Sequence, residues 1–74
     1  MAYRINLIWD PDAAVWVATS DDVPGLALES GSFDALIEKL HFAVPELLQL
    51  NGITSPQVRL NYSTVRSDVV AAYG

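Results

Sequence analysis

Ser32–Leu50, SFDALIEKLHFAVPELLQL, decides the fold. Phe33, Leu36, Ile37, Leu40, Val44, Leu47 and Leu48 recur at the spacing that gathers large apolar side chains on one stripe of a helix. Asp34, Glu38, Lys39 and Glu46 fall on the other side. A helix with one dry face needs a surface to cover that face, and the flanking segments read as strands, so the product is a helix on a sheet. Ser32 is placed to cap the helix, and Asp34 sits in the first turn, where the helix dipole favours an anion. Asn51-Gly52 supplies a left-handed stop. Pro45 breaks the local rule: it removes the bond to the His41 carbonyl and crowds it. The spacing therefore predicts a kink near Ala43 and Val44, in a bent helix or two collinear pieces.

Upstream of the helix, Ala2–Trp9 alternates, with Tyr3, Ile5, Leu7 and Trp9 on one side and Arg4, Asn6 and Ile8 on the other, which predicts a first strand. Asp10-Pro11-Asp12-Ala13-Ala14 reads as a turn, and Val15–Ser20, β-branched and aromatic, as a second strand antiparallel to the first. Trp16 and Val17 face opposite sides, so the sheet does not have one wholly polar face. Pro24-Gly25 suits a type II turn, and Leu26–Glu29 a short third strand at or near an edge. Downstream, Gln57–Val65 alternates with Val58, Leu60 and Tyr62 on one side, a fourth strand. The helical connection is long enough for a crossover, so strand four is expected to run parallel to its neighbour. The tail Arg66–Gly74, with Val69, Val70 and Tyr73, reads as a short helix, a frayed end or a segment that packs on a second subunit. The expected fold class is α+β, in the order β-β-β-α-β: a three-stranded antiparallel meander plus a fourth strand, one helix on one sheet face, with residues 1–74 as one domain.

Composition narrows the function. A chain of 74 residues without cysteine has no disulfide or thiolate zinc site to reinforce a small core, which leaves self-association, as a homodimer or higher homo-oligomer, as the added source of stability. No signal-length apolar run and no stretch near the ~20 residues needed to span a bilayer is present, so the expectation is a soluble, cytoplasmic protein without membrane contact. Nine Asp and Glu against four Lys and Arg give a net charge of −5, which opposes nucleic-acid binding and favours a basic protein partner.

No constellation of side chains carries chemistry. His41 is the single histidine and, with no cysteine beside it, reads as a boundary residue of the helix rather than a ligand. Asp21 and Asp22 form an acidic pair in a loop, read as solvated or bonded to local amides. Trp9 and Trp16 flank the first turn and read as cross-strand partners, because base stacking is usually accompanied by basic residues that are scarce here. Ser20, Ser30, Ser32 and Ser63 have no His and acid placed for a hydrolase triad. The expectation is a protein that is not an enzyme and that takes no cofactor and no metal.

The succession Val15-Trp16-Val17-Ala18-Thr19-Ser20, Asp22-Val23-Pro24-Gly25-Leu26 and Gly31-Ser32-Phe33-Asp34-Ala35-Leu36 resembles the HicB-like antitoxin domain. In that family a strand with an aromatic residue is followed by a Pro-Asp-Leu-Pro-Gly type turn and a Gly-Asp-Thr type helix cap. The wording is similar to that of a branch of short bacterial proteins. The resemblance implies a truncated ribonuclease H topology with strand four beside strand one, assembly into dimers or larger, and no nuclease activity. It also implies binding and neutralisation of a small basic, HicA-like, mRNA-cleaving toxin. Asp12, Asp21 and Asp22 with Trp16 are the expected partner-binding residues. Many relatives add a DNA-binding helix-turn-helix or ribbon-helix-helix; the nine residues that follow strand four here are too few for a helix-turn-helix, so operator binding is not carried over. The alternative is a standalone homo-oligomer with a structural or small-ligand-binding role.

Overall fold

The computed structural model describes residues 2–73; Met1 and Gly74, the last residue of the predicted tail, lie outside the described residues. The elements run β1 (Ala2–Asp10), β2 (Val15–Thr19), β3 (Ala27–Ser30), α1 (Phe33–Leu50) and β4 (Arg59–Val65). The sheet order is β3-β2-β1-β4. β1 pairs antiparallel with β2 and parallel with β4, from Ala2 opposite Arg59 to Ile8 opposite Val65. β2 and β3 are antiparallel. The fold is α+β, one helix on a mixed four-stranded sheet, in the order the periodicities predict.

Local chemistry fixes each reversal. Asp10 Oδ1 accepts from the backbone N–H groups of Asp12 (3.0 Å) and Ala13 (3.3 Å), which folds the chain over before Ala14 takes a left-handed φ of +54° and delivers Val15 opposite Asp10. At the second reversal the Leu26 N–H donates to the Val23 carbonyl at 3.2 Å with Gly25 at φ +83°, the backbone that a type II turn demands of its third residue. Because Leu26 is committed to that turn, β3 starts at Ala27 and extends to Ser30, one residue later than alternation alone predicts.

Helix α1 opens with the Ser32 hydroxyl accepting from the Ala35 N–H at 3.2 Å, with Asp34 in the first turn. It closes in a Schellman motif: the Gly52 N–H donates to the Gln49 carbonyl at 3.0 Å and the Ile53 N–H to the Leu48 carbonyl at 2.9 Å, with Gly52 left-handed at φ +75°. Of the two forms predicted at Pro45, a bent helix or two collinear pieces, the single element holds: α1 runs unbroken from Phe33 to Leu50. Leu40, Val44 and Leu48, on both sides of the proline, are all buried. Their burial holds the helical path through the lost hydrogen bond, and the proline itself stays at the surface.

The core lies between this stripe and one sheet face. Tyr3, Ile5 and Leu7 of β1 and Ala18 of β2 meet Leu36, Leu40, Val44 and Leu48 of α1, with Val23 and Leu26 closing the end beside the second turn. At the other end the rings of Trp9 and Trp16 meet edge to face at 5.3 Å, and those of Trp16 and Phe33 at 5.1 Å. The Arg66 guanidinium lies 4.0 Å from the Trp9 ring centroid. Residues 66–73 form no regular element. The radius of gyration, 14.8 Å, exceeds the roughly 11 Å of a compact chain of this length, and the long axis is 56 Å against 21 and 18 Å. Of the three readings of the tail, the short helix is excluded.

Candidate interaction surface

The four residues predicted to bind a partner do not form one site. Asp12 lies exposed in the β1–β2 turn, whereas Asp21 and Asp22 lie in the loop after β2, at the opposite end of that strand. Trp16 is half-buried between Trp9 and Phe33 and belongs to the aromatic end of the core. Asp22 is engaged by the fold. Where β2 stops pairing with β1, the Arg4 backbone would be left without a partner on that side; Asp22 Oδ2 accepts from the Arg4 N–H at 2.8 Å, and the Ser20 hydroxyl donates to the Arg4 carbonyl at 2.6 Å. The same Ser20 oxygen accepts from the Asp22 and Val23 N–H groups at 3.0 and 3.2 Å. Asp21 and Asp22, adjacent in sequence, therefore differ in role: one carboxylate is free at the surface and the other stands in for a strand.

Two surfaces present large apolar side chains in patterns the core does not use. The first is the outer row of α1. Phe42 is 77% exposed and sits about half a turn of the helix away from the buried stripe, with Glu38 one turn before it and Glu46 one turn after. Leu50, 82% exposed, follows one turn beyond Glu46. Lys39 is drawn away from this row, its Nζ donating to the Glu29 carbonyl at 3.2 Å.

The second surface is the β4 side of the sheet. The helix lies closest to β3 and β2, its buried stripe shares the core with the side chains of β1, and an open groove is left against β4, lined by His41, Pro45, Val58, Leu60 and Tyr62. Next to it a cleft of about 300 Å³ is lined by Pro45, Leu48 and Gln49 of the helix and by residues 53–58. Partial burial in the groove pushes the Tyr62 hydroxyl above the usual phenol range. β4 is an edge strand, and Val69, Val70 and Tyr73 of the tail that follows are almost wholly exposed. On the sheet face away from the helix, Val65, Ile8 and Val17 stand in one cross-strand row that ends at Glu29. Among the described residues no three His, Asp or Glu side chains converge as a metal site would need, and no helix is long and apolar enough to cross a membrane.

Residues 2–73 match the family described as "Domain of unknown function (DUF1902)". The chain belongs to that family. This DUF1902 chain is also similar to the crystal structure of hypothetical protein TTHA1013 from the extremely thermophilic bacterium Thermus thermophilus. The two are 42% identical with a TM-score of 0.81, and the match covers 95% of this chain and 100% of that one. No curated protein matches the DUF1902 chain.

Proposed function

We propose that this chain is a non-enzymatic binding module of the HicB antitoxin type, which holds a small basic protein on the outer face of α1. The observation that carries the reading is Phe42, left 77% exposed between Glu38 and Glu46. An aromatic ring flanked by carboxylates matches a partner that offers an apolar pocket rimmed by Lys or Arg: the ring supplies contact area and the acids supply orientation. A protein that cleaves RNA must present a basic surface to a polyanion, so an acidic, aromatic-centred face competes directly for that surface. The exposed Asp12 and Asp21 add to the field of a chain of net charge −5 and steer the encounter without forming the contact.

The test uses a small basic protein encoded beside this chain, with association followed by stopped-flow and dissociation by competition. Phe42→Ala removes a side chain with no role in the core and should weaken binding by roughly tenfold or more through faster dissociation. Glu38→Gln with Glu46→Gln should slow association and flatten its dependence on salt. If both variants bind like the wild type across a salt series, the outer row of α1 is not the contact.

A further inference from the structure

We propose that β4 is the seam of a twofold dimer, in which two copies pair antiparallel about Tyr62 and the tail of each runs along residues 53–58 of the other. The free edge comes first. The Arg4 N–H and carbonyl point to Asp22 and Ser20, on the β2 side of β1, so alternation turns the backbone of Tyr3, Ile5 and Leu7 towards β4. With Tyr3 opposite Leu60 and Ile5 opposite Tyr62 in a parallel ladder, Asn61 and Ser63 face β1 with their backbone groups, and Leu60, Tyr62 and Thr64 turn theirs away from the sheet. An antiparallel pair centred on Tyr62 joins these groups, with Leu60 opposite Thr64 of the second copy and Tyr62 opposite itself, all as hydrogen-bonded pairs.

That register decides where the tail goes. Val65 of the second copy falls opposite Arg59, and the extended chain beyond it continues past Val58 towards Ile53, which brings Val69 and Val70 beside Ser55 and Thr54. Those residues line the cleft of about 300 Å³ under the helix C-terminus. The same operation delivers the other tail to the other cleft, so both edges, both clefts and both apolar tails are used at once, which is what a closed twofold interface requires. Charge agrees. In residues 59–73, Arg59 and Arg66 outweigh Asp68, while residues 45–58, which each arm would meet, carry one charge, that of Glu46. Residues 59–73 together with 45–58 also approach the roughly 20–30 residues per side of a stable interface. A second copy is therefore the occupant. Phe42 lies on the outward face of α1, away from this edge, so the inference stands apart from the reading of the basic partner.

Light scattering at micromolar concentration should give wild-type protein a mass near twice the 8.1 kDa of one chain. Thr64→Pro removes an outward N–H and no bond to β1, and Val69→Asp with Val70→Asp alters side chains that are exposed in the single chain. Each variant should halve the mass with the circular dichroism spectrum unchanged. In wild-type protein the Leu60, Tyr62 and Thr64 amides should exchange slowly with deuterium, and the tail variant should release them. A wild type of single-chain mass, variants that keep the dimer mass, or rapid exchange at those three amides would overturn the proposal; should Thr64→Pro fail to fold, the tail variant and the exchange experiment decide it.

Discussion

Ser20 shows how much a single hydroxyl can hold. It gives its proton to the Arg4 carbonyl and takes two backbone N–H groups from the loop, so the end of β2, the start of β1 and the turn leading to Pro24 meet at one atom. Ser20→Ala should lower stability by about 0.5–1.5 kcal/mol, because three backbone groups lose a partner that water replaces only in part at this surface site. Asp22→Ala should follow it, by loss of the acceptor for the Arg4 N–H, while Asp21→Asn should shift the thermal midpoint little. Equal shifts for Asp21 and Asp22 in thermal melts would remove the distinction drawn between them. That distinction was not legible in the sequence. An Asp-Asp pair before Val-Pro-Gly announces a loop, but which carboxylate is used depends on where the neighbouring strand loses its partner, and that is set by register.

The helix was the most legible element. Its stripe, its Ser32 cap and its Asn51-Gly52 stop all stand where periodicity and end chemistry predict, since each is decided within a few residues of chain. Leu40→Ala, at the centre of the buried stripe, should cost about 2–5 kcal/mol by leaving a cavity. Lys39→Ala, whose amine reaches only the Glu29 carbonyl at the surface, should cost less than about 1 kcal/mol. Thermal melts that moved the two variants equally would reverse the assigned faces. Pro45 predicts a bend rather than a stop, and the helix runs through it because the apolar side chains before and after it are buried on one continuous face. One feature of α1 escaped sequence reasoning. Phe42 escaped because one aromatic on a charged face adds nothing to a periodic signal; its exposure is evident only once the opposite side of the helix is seen to be covered.

At the scale of the whole molecule, strand directions followed from connection lengths, the turns giving antiparallel neighbours and the helical crossover a parallel one, whereas the place of β4 beside β1 came from the resemblance to the HicB-like domain. The tail did not follow, because an exposed apolar segment has no partner within its own chain to read. Charge acts at this scale too. With nine carboxylates against four Lys and Arg, short RNA or DNA duplexes should not be retained in a filter-binding assay at moderate salt, and retention would contradict the electrostatic argument for a basic protein partner.

The pairing of Ala2 with Arg59 has a consequence for synthesis. As the chain leaves the ribosome, β1, β2, β3 and α1 are all complete before β4 exists, so a nascent chain has its meander and helix while one flank of β1 stays bare. Closing that flank joins strands far apart in sequence, from Ala2 with Arg59 to Ile8 with Val65, the slowest kind of contact to make because a long loop must be closed first. During that interval the slot beside β1 accepts any strand of the right pattern, and on a polysome the nearest such strand is the β4 of a sister chain. The topology thus makes strand exchange between neighbouring nascent chains the natural error of folding, and dilution during refolding the natural remedy.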